Sequence, residues 1–174
     1  MSCAIQGDFT IDCLDTTGGN KNAFIAAFND IDSVTETSGL VTAITKKTGK
    51  RFYKIQIPQA TAEGKDTPNV NQANGTSYFD HEVTFPINKR DATTRNFVLS
   101  LARTRVIIVM EELNGEYKMY GKENGLYLDQ GSTGSSGVQA GDRNGYNLVF
   151  KGLQFSTVLQ VQQSIAEALT TAGS

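Results

Sequence analysis

Turns punctuate the chain, and between them apolar residues recur at every second position over short runs. FTIDCLD alternates through Phe9, Ile11 and Cys13. LVTAITKKTGKRFYKIQI reads as two strands about a turn at Thr48-Gly49, with Tyr53, Ile55 and Ile57 on one face and Phe52 and Lys54 on the other. YFDHEVTFPI places Phe79, His81, Val83 and Phe85 on one side. A period of two marks a strand with one buried face. RVIIVMEEL is apolar almost without a break, which predicts a central strand covered on both faces. EYKMYGK and YNLVFKGLQF complete the set. GGNKNAFIAAFNDID could begin as a helix, but Gly18-Gly19 and its asparagines favour a strand with flanking turns. Asn-Gly pairs at Asn74-Gly75, Asn114-Gly115, Asn124-Gly125 and Asn144-Gly145 suit type I′ hairpins, in which both central residues need φ > 0.

A helical period enters in two places. RDATTRNFVLSLART offers Asp91 as N-cap and a stripe of Phe97, Val98, Leu101 and Ala102, with Arg95 and Asn96 facing away. This helix is short, lies between strong strands and needs a sheet to cover. VLQVQQSIAEALTTA carries Val158, Val161, Ile165, Ala168 and Leu169 at helical spacing, so the amphipathic segment 155–174 reads as a helix. Its alternation at Phe155, Thr157, Leu159 and Val161 also fits a strand. The predicted class is mainly β: an antiparallel β-sandwich or barrel with one flanking α-helix over about 91–102 and long inter-strand loops, as one domain over 1–174.

Two polar stretches interrupt the strand pattern, 58–77 and 129–145. Unstructured loops beyond about 12–15 residues are uncommon inside compact domains and are usually functional or disordered. The second stretch could be a slack linker, a ligand loop, or an arm that orders against another subunit. Because YNLVF resumes the strand pattern, it is not a domain linker. The arm reading nominates Ser132, Thr133, Ser135, Ser136, Gln139, Asp142 and Arg143 as inter-subunit residues. Glu63, Lys65, Asp66, Asn69 and Asn71 are the matching candidates in the first stretch.

Composition removes several function classes. The 174 residues are 39% apolar and 20% charged, which supports a real core and argues against general disorder. A net charge of −2 gives no overall attraction to nucleic acid or anionic lipid. No apolar run is long enough to span a bilayer, and the N-terminus lacks the pattern of a secretion signal. A reducing compartment is therefore expected, with Cys3 and Cys13 as free thiols and a poor metal site.

Catalytic chemistry finds little to build on. His81 is the single histidine, and its neighbours Asp80 and Glu82 point to the opposite strand face. It reads as a sheet or interface histidine, or as core if the alternation holds. Ser132, Ser135 and Ser136 have no visible base. The glycine run matches no phosphate-loop pattern and leads into a strand, not a helix N-terminus. KDTPNVNQANG lacks the closing Glu of a calcium loop. Lys46, Lys47, Lys50 and Arg51 read as a solvated hairpin tip. No enzyme activity, metal or cofactor is expected, and an assembly or binding module fits better.

The second half of the chain carries a resemblance. EVTFPINKRDATTRNFVLSLARTRVIIVMEELNGEYKMYGKENGLYL, followed after the polar stretch by GDRNGYNLVFKGLQ, resembles tail tube proteins of tailed bacteriophages and related virion ring proteins. What matches is the order: extended strand, short helix from Asp91, hydrophobic strand, Asn114-Gly115 hairpin, long polar loop, strand. DTTGGNKNAFIAAFNDI is also similar to the start of such proteins. The resemblance implies a β-sandwich or barrel with a flanking helix. It implies homo-oligomeric rings, six copies each, whose sheets run together around a pore and whose loops let rings stack. It further implies other tail or neck proteins as partners, and phage DNA passing through the lumen without sequence-specific binding. Assembly would take place in the host bacterial cytoplasm and the product would be part of the virion tail, away from membranes. A neck, terminator or baseplate ring shares the pattern. The competing class is a carbohydrate- or peptide-binding β-sandwich, which predicts aromatic loop tips, whereas Tyr78, Tyr127 and Tyr146 sit at strand ends.

Overall fold

The computed structural model describes Gly7, Phe9 and residues 16–173. Cys3, Cys13 and most of FTIDCLD lie outside the described residues; Phe9 itself is solvent-exposed. The described elements are β1 (Asn20–Ala27), a 3-10 turn (Phe28–Asp30), β2 (Ile31–Thr37), β3 (Leu40–Lys46), β4 (Tyr53–Gln56), β5 (Glu63–Asn71) and β6 (Thr76–Asn88). They continue with α1 (Ala92–Ala102), β7 (Val106–Glu112), β8 (Tyr117–Tyr120), β9 (Tyr127–Leu128), β10 (Thr133–Ser135), β11 (Gly145–Gln154), β12 (Leu159–Val161) and α2 (Gln163–Glu167).

These strands form two sheets, as a β-sandwich requires, and neither closes into a barrel. The larger has the order β2-β3-β12-β8-β7-β1-β4, and the smaller β10-β11-β6-β5 with β9 also on β11. Every pairing between the described strands is antiparallel except β12 with β3, where Gln160 and Val161 lie beside Leu40 and Val41; an isolated bridge, Thr48 to Gly173, is also parallel.

The unbroken apolar run of β7 is explained by two cores on opposite faces of the larger sheet. Val106, Ile108 and Met110 meet Val83, Phe85, Leu148 and Phe150 of the smaller sheet, together with Leu101 of α1. The Phe85 and Phe150 rings stack at 5.7 Å. Ile107 and Val109 point the other way, into a cluster of Phe24, Val41, Phe52, Met119, Val161, Ala166 and Leu169. Each such side chain contributes about 1.5–3 kcal/mol relative to an exposed one.

Several expectations need correction. β3 and β4 are no hairpin: β3 pairs with β2 and β12, β4 with β1, at opposite ends of the sheet order. The chain between them carries Phe52 into the second core. The 58–77 stretch is mostly ordered strand, with β5 paired to β6 from Glu63↔Thr84 to Asn71↔Thr76. Its polar sequence misled because β5 is an edge strand with much of both faces exposed. The 155–174 segment divides into a strand, β12, and the short helix α2, because Leu159 and Val161 insert between β3 and β8 before the helical turns begin.

Asn-Gly pairs do not make type I′ turns here. Gly75, Gly115 and Gly125 adopt positive φ, but the only described non-glycine residues that do so are Ser38, Ala60 and Lys89. Ser38 (φ 51°) and Gly39 (φ 82°) instead supply the two-residue turn between β2 and β3. In α1, Asp91 caps as expected by accepting from Thr94 N at 2.8 Å. Leu101 is buried, with Phe97 and Val98 packed against the core, but Ala102 is exposed.

Candidate assembly surface

The 129–145 stretch is a folded flap on the smaller sheet, not a free arm. β10 pairs with the start of β11, Thr133 beside Asn147 and Ser135 beside Gly145. Ser132 Oγ accepts from Val149 N at 2.9 Å and lies 3.2 Å from Val149 O, which it reaches as donor. Asp142 closes the tip by accepting from Val138 N and Gln139 N at 2.9 and 2.8 Å. Those two backbone N–H groups hold the Asp142 carboxyl below the usual carboxylate range. Ser135 Oγ accepts from Gly137 N, and Ser136 Oγ donates to Gly137 O. Arg143 and Thr133 line a shallow recess with Tyr146. The polar side chains that sequence reasoning assigned to another subunit thus chiefly tie the flap to itself. Val138, at its tip, is 97% exposed.

The β5–β6 hairpin carries the other candidates, and the period of two splits them by face. Lys65 points outward, where its ammonium pairs with the Glu82 carboxylate at 3.0 Å, and Lys151 pairs with the same carboxylate at 3.3 Å. The Lys65 hydrogen bond holds Glu82 below its ordinary pKa. Asp66 instead lies beside His81, and its carboxylate receives the Thr157 hydroxyl and Val158 N. Asn71 Oδ1 accepts from Asn74 N in the turn, and Asn69 donates to Thr67 O. Glu63 borders a recess with Thr16–Asn20 and Glu112.

His81 is core, as the alternation implied, and its 2% exposure excludes the surface reading. Gly121 N donates to Nδ1 at 3.4 Å and Nε2 donates to Ser156 O at 3.0 Å, which defines the neutral tautomer. The ring packs edge-on to Tyr120. Burial, the largest influence, pushes its pKa down. With both ring nitrogens engaged by backbone, it is a structural link between the sheets.

Sequence reasoning missed Gln154, which is 1% exposed. Its Oε1 accepts from Glu123 N and Asn124 N at 3.0 and 3.1 Å, and its Nε2 donates to Gly125 O at 3.0 Å. The available signal was a polar residue in phase with Leu148 and Phe150. The basic cluster was also misread as a solvated tip. Lys46 Nζ donates to the carbonyls of Ala168, Leu169 and Thr171 beyond α2, where a cation suits the end of a helix. Lys50 pairs with Asp30 at 3.5 Å, and Arg51 lies 5.1 Å from the centre of the Tyr53 ring.

What remains open is the sheet margins. Among the described residues β4 and β2 end the larger sheet, and β5 and β10 end the smaller. Tyr127 and Leu153 stand exposed on the outer face of the smaller sheet. These features define an edge-rich β-sandwich whose surface offers strand margins and hairpins. Set against models of protein families, curated proteins and solved structures, the chain matches none. Among the described residues, no helix is long and apolar enough to cross a membrane.

Proposed function

We propose that this chain is a structural virion subunit of a tailed bacteriophage, of the tail tube type. It forms stacked rings, six copies each, around a channel that conducts DNA. The observation that carries this reading is the pair of open sheets whose edge strands have no further partner among the described residues, beside a long β5–β6 hairpin and a polar flap. Unpaired edges are templates for a neighbouring chain, and native proteins normally blunt or cover them. Joining edges head to tail closes into a ring when the rotation allows, and rings then stack. A neck, terminator or baseplate ring would use the same edges. The test is electron microscopy of the concentrated protein, in which rings or tubes are expected. Removal of 132–141 should leave the subunit folded, since no residue of either core lies there, and should impair stacking. A protein that stays monomeric at every concentration and salt would refute the reading.

A further inference from the structure

Among the described residues no strand pairs with the outer margin of β4, and that margin is more than a row of backbone groups. On one face of this strand Tyr53, Ile55 and Ile57 look into a gap between the sheets, and two clefts open along it. One, of about 290 Å³, is lined by Ile25, Tyr53, Phe97, Leu101 and Val106. The other, of about 430 Å³, is lined by Ile55, Ile57, Pro58, Pro86 and Ile87. On the opposite face Lys54 lies over the Phe24 ring. From Lys47 to Ala62 the chain carries Lys47, Lys50, Arg51 and Lys54 and no acidic residue; Lys50 pairs with Asp30, which also borders the first cleft.

The N-terminal sequence is complementary on both faces. Phe9, Ile11 and Cys13 alternate with Asp8, Thr10 and Asp12, and residues 1–15 contain three Asp and no Lys or Arg. A strand spaces such alternate side chains by about 6.6 Å, the spacing that Tyr53, Ile55 and Ile57 repeat. Phe9 is 96% exposed within its own subunit. The chain also leaves β1 on the side away from β4. Gly19 O accepts from Leu113 N, and Thr16–Asn20 lie against Glu63, Glu112 and Asn114, beside β7. β4 is on the other flank of β1.

We propose that residues 8–14 of one copy add as a strand to the free edge of β4 in a second copy. Phe9 and Ile11 enter the two clefts while Asp8 and Asp12 face Lys54. Main-chain hydrogen bonds to the edge supply affinity, and the alternate side chains supply register and specificity. The proposal deepens the ring assembly above and rests on the chain meeting copies of itself.

Sedimentation velocity of the full chain against its Phe9→Asp/Ile11→Asp variant tests it. The variant should self-associate at least tenfold more weakly. Lys54→Glu should weaken association too, and Asp12→Lys should restore it in that background. With Cys3→Ser and Tyr53→Cys, which lies on the face that Cys13 shares, oxidation should join Cys13 to residue 53 between chains and give a ladder of covalent multimers. Equal association by the Phe9→Asp/Ile11→Asp variant, or only intramolecular cross-links, would overturn the proposal. Rings that ignore these substitutions refute the strand addition and leave the tube reading standing. Arm-dependent dimers without rings do the reverse. A chain that never associates refutes both.

Discussion

Replacing Gln154 by Leu is the sharpest perturbation of the junction between the sheets. Leucine keeps a comparable volume, so the cavity contribution is small, and the loss is of hydrogen bonds. Gly125 O is buried and would lose the Gln154 amide as donor. A buried group left without a partner costs about 1–3 kcal/mol. Glu123 N and Asn124 N lie nearer the surface, so water replaces much of what Oε1 gave them, at a cost of about 0.5 kcal/mol each. The expected destabilisation is about 2–4 kcal/mol. For a chain of this size that lowers Tm by roughly 4–16 °C. Urea unfolding followed by circular dichroism reads the free-energy change directly, with the slope unchanged. Gln154→Glu supplies a second readout. An ionised carboxylate facing Gly125 O is unfavourable, whereas the protonated acid donates to it. The folded-state pKa of that Glu is therefore raised, and its stability deficit should shrink as pH falls. A Gln154→Leu change below about 0.5 kcal/mol, within the range of ordinary surface substitutions, would refute the assignment of Gln154 as the clamp of the 121–125 turn.

His81 sets a pH dependence that is readable because it is the chain's only histidine. Burial lowers its folded-state pKa below the unfolded value of about 6.5. The unfolded chain therefore binds the extra proton first, and stability should fall as pH drops through about 6.5 toward the folded pKa. In His81→Gln the denaturation free energy should lose that slope between pH 5 and 7, and an unchanged slope would contradict the buried neutral ring. Gly64→Ala should destabilise by about 1–3 kcal/mol, because a Cβ there overlaps the Tyr120 ring across the core; thermal unfolding checks it, and no change would mean that the ring yields freely.

Where one core dictates a residue, the sequence was readable. The alternation of His81, Val83 and Phe85, the uninterrupted β7 and the Asp91 cap all follow from local periodicity or local hydrogen bonding. Readability failed where the decisive contact is remote. Thr48-Gly49 looked like a hairpin, but the chain there bridges opposite ends of the sheet order, and Gly49 N donates to Gly173 O. β5 looked like a loop because an edge strand with so few inward residues needs little apolar content, and Gly64 and Asp66 give no hydrophobic signal. In the flap, the serines and the aspartate read as inter-subunit contacts also bond nearby backbone in turns, the ordinary competition of short polar side chains for main-chain groups. The same side chains serve a turn or a partner equally well in composition, so only geometry separates the two.

The single parallel pairing between described strands has a consequence for the order of events in folding. β12 occupies the slot between β3 and β8, so the β2–β3 hairpin is joined to the rest of the larger sheet only through a strand that follows nearly everything else in the chain. Closing so long a loop is slow relative to forming hairpins. During synthesis β1, β4 and β7 all precede β12, so a nascent subunit carries β8 and β3 without their shared neighbour. In that interval β8 presents a second unpaired margin, open to strands of other chains until the subunit's own C-terminal segment fills the slot. Insertion of β12 thus removes the β8 margin, whereas among the described residues no strand of the subunit covers the outer margin of β4.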